Sequence, residues 1–214
     1  MRIYLWLGGG VLAAAAVLLK LGWGPGSIPH VATWHNSAAE APSICPWRDP
    51  PNDLARFFGP SVSYSTEILV LSRARAWIVK AVGPTPEPLA NVLYVRRVFR
   101  SGRVVGSILT GRAPGQFGVI EVVVAVDPGR RIIGVRIQRS REIGAAGRLI
   151  ASERWLRAFR GKSARDAFRP GEDLPAVAPD VRPTAQAVAQ EVRALVIELE
   201  AASRFHTGQL RGGV

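Results

Sequence analysis

The chain has 214 residues, enough for one globular domain with a short accessory segment and too few for two sizeable cores. A hydrophobic content of 48%, with 22 Gly and 16 Pro, is that of a folded protein with well-punctuated loops and excludes a disordered chain. The net charge of +12 is concentrated between Arg96 and Arg169, where 17 Arg or Lys stand against 5 Asp or Glu, so the excess suits anionic lipid, an acidic protein or a phosphorylated ligand.

At the N-terminus, Ile3 to Leu19 form an apolar run preceded by Arg2 and closed by Lys20, with Trp6 and Trp23 near its ends. Seventeen helical residues span roughly 26 Å, and Lys20 can snorkel while Leu21 to Trp23 complete a crossing. The run therefore predicts a transmembrane anchor over residues 1–23. A cleaved signal peptide is the competing reading, but its small residues, Ala32, Ala38, Ala39 and Ala41, lie well beyond the apolar run. Positive charge flanks the run on both sides, the N-terminus and Arg2 against Lys20, and short leaders of this type usually leave the N-terminus in the bacterial cytoplasm, so the body is expected in the periplasm, attached to the inner membrane. A periplasmic body has no nucleic acid to meet. Cys45 has no partner for an intramolecular disulfide, since it is the single cysteine.

Residues 24–52 are rich in Pro, Ser, Ala and Gly and read as a linker whose Trp34 and Trp47 pack on the body or on the membrane interface, the interface being the simpler expectation. A domain is expected over 53–203, followed by a flexible tail over 204–214. Within the domain, Asp53 to Phe58 predicts a short helix ending at Gly59-Pro60. Leu71 to Val82 predicts a second helix, with Ser72 as N-cap and a stop at Gly83-Pro84. Two hairpins follow. Val92–Phe99 and Val104–Leu109 are joined through Arg100-Ser101-Gly102-Arg103, and Val119–Val126 and Ile132–Ile137 through Asp127-Pro128-Gly129-Arg130. In the last strand Ile133, Val135 and Ile137 alternate with Gly134, Arg136 and Gln138, the pattern of a half-buried sheet. Ser152 to Phe159 predicts a helix with Ser152 as cap. Thr184 to Ala202 carries Val188, Val192, Leu195, Val196 and Leu199 on one helical face. Together these elements predict an α+β fold, an antiparallel sheet of two hairpins packed by helices.

His30, His35 and His206 are scattered in the linker and tail, so no metal-ligand spacing or haem-attachment motif is present, and no dinucleotide or phosphate loop is found. What remains is the stretch Gly115-Gln-Phe-Gly118-Val-Ile-Glu-Val-Val-Val-Ala-Val-Asp127, a turn, Ile133-Gly134-Val135, then Arg141-Glu142. Over roughly Asp53 to Ala202 the chain resembles the FMN-binding domain of Rnf-type and sodium-pumping NADH:quinone reductase subunits and of nitrous-oxide reductase regulators. That family shows a glycine-containing approach, a strand ending in an Asp turn, a Gly-Val strand and a His-x-Glu-Thr-like segment, in this order.

The resemblance implies an electron-transfer component rather than a stand-alone enzyme, with FMN supplying the redox chemistry. Covalent members carry Ser-Gly-Ala-Thr before the last helix, and Pro179-Asp180-Val181-Arg182 stands there instead, so attachment through that threonine is not expected. Ser140-Arg141-Glu142 replaces the His-containing segment, and Ile143-Gly144 the Thr-Pro that follows. The expected non-covalent site consists of Gly115, Gly118, Glu142, Arg182, Thr184 and Gln186. Arg182 would meet the phosphate at a helix N-terminus, and Thr184 and Gln186 would donate hydrogen bonds. Plainer roles compete at each position: a turn for the glycines, an arginine pair for Glu142, a solvated charge for Arg182, an N-cap for Thr184. Trp155 is read as core.

Two functions are thus expected. One is a membrane-anchored periplasmic flavoprotein passing electrons within a membrane redox complex. The other is a flavin-free structural or assembly subunit of such a complex, docking inner-membrane lipid or an acidic periplasmic partner through its basic face.

Overall fold

The computed structural model describes residues 45–83 and 91–210, the last five through the backbone alone. The expected anchor lies outside the described residues, as does most of the expected linker. Among the described residues, no helix is long and apolar enough to cross a membrane.

Helix α1 (Pro50–Phe58) begins with two prolines, whose fixed φ and missing N–H suit the first helical turn. It ends at Gly59, whose φ of 75° lies in the left-handed region. Strand β1 (Ser63–Val70) follows, then a 3-10 turn (Ser72–Ala74) leading into α2 (Arg75–Val82). Ser72 lies inside that turn and makes no capping bond, so the helix expected from Leu71 starts four residues later. Strands β2 (Val92–Arg100), β3 (Arg103–Pro114), β4 (Val119–Val126) and β5 (Ile132–Arg139) form the two expected hairpins. Helices α3 (Gly144–Ala151) and α4 (Glu153–Arg157) come next, and α5 (Arg182–Leu210) closes the chain. It runs into the segment expected as a tail.

All five strands pair antiparallel in the order β1-β2-β3-β4-β5. This α+β architecture matches the expectation in class, with one strand more. β1 escapes the sequence pattern because it is an edge strand of mostly polar, exposed residues, in which only Leu69 is buried.

Both faces of the sheet are covered, which corrects the half-buried expectation. On one face, α5 lays Val188, Val192, Leu195, Val196 and Leu199, all buried, onto Val122, Val124, Val126 and Leu109. On the other, Leu54 and Phe58 of α1, with Phe57 and Trp47, cover Val98, Ile108, Val123 and Ala125. β4 is consequently buried at every position after Val119. Alternation in β5 is broken by a bulge. Val126 pairs with Ile132 and Ala125 with Gly134, so Ile133 is left over and joins Gly134 on the α1 face.

The segment 45–49, expected as linker, is strapped to the α1 face of the sheet. Cys45 is buried, its Sγ donating to the Gly111 carbonyl at 3.2 Å and its own carbonyl accepting from Thr110 Oγ1 at 2.7 Å. Trp47 stands edge-on to Tyr64 at 5.0 Å between ring centres and donates Nε1–H to Asp53 at 2.7 Å, so it packs on the body. Arg48 makes a bidentate pair with Glu121, at 2.5 and 2.9 Å.

Candidate functional site

β3 and β4 are joined by Gly115-Gln116-Phe117-Gly118. Gly115 N–H donates to Gly118 O at 2.8 Å, closing the loop, and Gly118 sits at φ 137°. After β5 the chain turns through Ser140, whose Oγ accepts from Glu142 N–H at 2.9 Å. That turn aims the Glu142 carboxylate back at the β3–β4 loop. Its Oε1 accepts from Phe117 N–H at 2.9 Å, and its Oε2 accepts from Thr184 Oγ1–H at 3.0 Å, in the first turn of α5. A third tie joins the same segments, since Gln116 Nε2 donates to the Asp180 carbonyl at 3.1 Å.

Four of the six expected residues, Gly115, Gly118, Glu142 and Thr184, are therefore brought together, and the other two are placed differently. Arg182 is exposed as the first residue of α5, beside this cluster. Gln186 is exposed further along the helix and lines a separate open cleft of about 700 Å³ with Lys80, Arg165, Arg169, Gln190 and Arg193. Thr184 is not an N-cap, because the helix already begins at Arg182 and the buried hydroxyl is given to Glu142. Glu142 bonds a backbone amide and a hydroxyl, where an arginine pair was the plain reading.

The fit to an FMN phosphate can be judged from this geometry. A phosphate in the loop would use the Phe117 amide and the Thr184 hydroxyl, and both donors already serve Glu142. The space is closed as well: a Cβ added at Gly115 would collide with Glu142 Oε1 and lie 2.6 Å from the Gly118 carbonyl oxygen. The Glu142 carboxylate thus fills the loop itself, while Arg182 and the start of α5 lie outside it. Gly115 thus serves the close approach of its own chain. Trp155 is buried edge-on to Phe159 at 5.0 Å, in the core.

Three polar clusters were not foreseen. Asp53 is fully buried under α1, paired bidentately with Arg136 (Nη2 to Oδ2, 2.6 Å) and bonded to Trp47. The one sequence trace of it is an acid in the first turn after Pro-Pro. Glu121, a carboxylate within an otherwise apolar strand, is held below the ordinary carboxylate range chiefly by its hydrogen bonds from Arg48, against its burial. On α5, Glu191 accepts the Arg112 amide at 2.9 Å, while Glu198, seven residues on, is buried. Burial, reinforced by the charge of Glu191 and opposed by Arg75, pushes Glu198 up to about 8. Burial likewise pushes the Cys45 thiol up to about 11, with Glu121 adding to it.

The basic excess resolves into two sets. Strand arginines are largely committed inside the fold: Arg97 to Glu67 at 2.9 Å, Arg136 to Asp53, and Arg96 to Thr110 at 2.9 Å, with its guanidinium 6.0 Å from the Trp47 ring centre. On and just after α3 and α4, by contrast, Arg148, Arg154, Arg157 and Arg160 are all exposed. Among the described residues, no group of three or more His, Cys, Asp or Glu side chains is placed to hold a metal ion. Comparison with family models and with curated proteins returns no match, so the likeness to FMN-binding domains stands on the residues that carry it.

Proposed function

We propose that this chain is a flavin-free structural or assembly subunit of a membrane redox complex, built on an FMN-binding-type scaffold. Residues 1–23 hold it to the bacterial inner membrane with its body in the periplasm. One observation carries the flavin-free reading: the Glu142 carboxylate takes the Phe117 amide and the Thr184 hydroxyl, the donors that the Gly115–Gly118 loop would otherwise offer an anion. The missing threonine at the start of α5 points the same way. Docking to an acidic periplasmic partner then falls to the exposed arginines of the α3–α4 region, which among the described residues are not drawn into the fold as the strand arginines are.

The test is an absorption spectrum of the detergent-purified native protein, followed by titration with FMN. A colourless protein that takes up no FMN is the expected result, and flavin bands in the native protein would overturn it. The docking role predicts that Arg154→Glu, Arg157→Glu and Arg160→Glu together release the protein from its complex, with the unmodified protein released by salt. Association that survives both would remove this surface from the proposal.

A second reading, non-covalent FMN binding for electron transfer, is favoured by the exposed Arg182 at the start of α5, beside the four converging residues. It requires Glu142 to leave the loop. Under this reading FMN binds and Arg182→Ala weakens it markedly.

A further inference from the structure

The end of the sheet that carries the Glu142 cluster also carries exposed apolar side chains. Phe117, at the tip of the β3–β4 loop, is 53% exposed, and Ile143, next to Glu142, is 63% exposed; Val119 at the base of the same loop is exposed too. Single exposed apolar residues are ordinary on a protein surface, but here they sit on two loops that Glu142 ties together through the Phe117 amide. Hydrogen bonds hold the backbone of both loops, so contact has only the Phe117 and Ile143 side chains to order.

Charge at this end is basic. Arg141 and Arg182 are exposed against one exposed acid, Asp180, while the exposed Arg139 is paired with Glu121 at 3.8 Å. The Arg141 side chain lies against the loop, its Cδ 3.5 Å from where a Gly118 Cβ would sit. Apolar tips ringed by arginine match the boundary of an anionic bilayer, where acyl chains meet negatively charged headgroups.

From these observations we infer that the Phe117–Ile143 end of the domain is a docking surface for the anionic lipid headgroups of the membrane that anchors the chain. This rests on the membrane-anchor part of the proposed function and adds to it the face that meets the lipid. The β3–β4 loop is then a lipid-facing loop braced from within by Glu142.

Full-length chain reconstituted into vesicles of phosphatidylcholine alone, or with phosphatidylglycerol, tests it. A fluorescent label is placed at Phe117→Cys, Ile143→Cys or, at the opposite end of β3, Arg103→Cys, and each is read for quenching by a lipid-borne quencher. Labels at 117 and 143 are expected to be quenched in the anionic vesicles and the label at 103 to stay unquenched. Arg141→Glu with Arg182→Glu should weaken the contact at least about 25-fold, from roughly fivefold for each arginine lost near an anionic surface. Labels at 117 and 143 quenched no more than the label at 103 overturn the inference, as does quenching that ignores lipid charge. If the chain also fails to float with neutral vesicles, the anchor reading falls too; flotation with unquenched labels removes the docking end alone.

Discussion

Removing the Glu142 carboxylate tests whether it is the brace of this site. In Glu142→Ala the Phe117 amide and the Thr184 hydroxyl both lose their acceptor, and the hydroxyl is buried. Hydrogen bonds to a charged group contribute about 1.5–3 kcal/mol each, and Glu142 is only half-buried, which favours the lower figure for both bonds. The expected loss is about 3 kcal/mol. Thr184→Val removes one of the two bonds at similar volume and should cost about 1.5 kcal/mol. Because the two residues share that bond, the double variant should lose about 1.5 kcal/mol less than the sum of the singles. Urea unfolding of the detergent-solubilised chain, followed by tryptophan fluorescence, measures all three. Exchange of the Phe117 amide should also quicken in Glu142→Ala alone among the singles. A loss below about 0.5 kcal/mol, or strict additivity, would refute the brace and with it the argument that Glu142 closes the loop to a phosphate.

Other outcomes follow from the unforeseen clusters. Asp53→Ala leaves Arg136 and the Trp47 indole without their shared acceptor, and should cost about 3 kcal/mol by urea unfolding. Glu198 is raised from 4.5 to about 8 in the folded protein, so between these values the native state holds a proton that the unfolded state has released. Stability from this residue is therefore present in full below about pH 4.5, falls as pH rises towards 8, and is level above; Glu198→Gln should flatten that slope in a pH series of unfolding curves. Cys45, buried and raised to about 11, should resist alkylation by iodoacetamide at pH 8 in the native protein and react on denaturation, a result read by mass spectrometry.

The sequence by itself determined those parts of this protein whose residues repeat with a period. Val119 to Val126 is a strand because eight residues rich in valine admit little else, and α5 is legible because Val188, Val192, Leu195, Val196 and Leu199 fall on one helical face. The turns at Gly102 and at Asp127 to Arg130 declared themselves through residue type, so both hairpins could be read before any tertiary contact was known. Gly115, Gly118, Glu142 and Thr184 were picked out only through a resemblance to FMN-binding domains, and in the structure these four lie together. Only the tertiary structure decided the rest. β1 has no apolar alternation, because an edge strand needs backbone partners more than buried side chains. The segment 45–49 looked like linker because its hold on the sheet comes from hydrogen bonds across more than sixty residues of sequence, from Cys45 to Gly111 and from Arg48 to Glu121. Nor could local pattern tell whether Glu142 would leave its loop open to an anion or close it. That depended on Phe117 and Thr184, 25 and 42 residues away, arriving with their donors at one carboxylate.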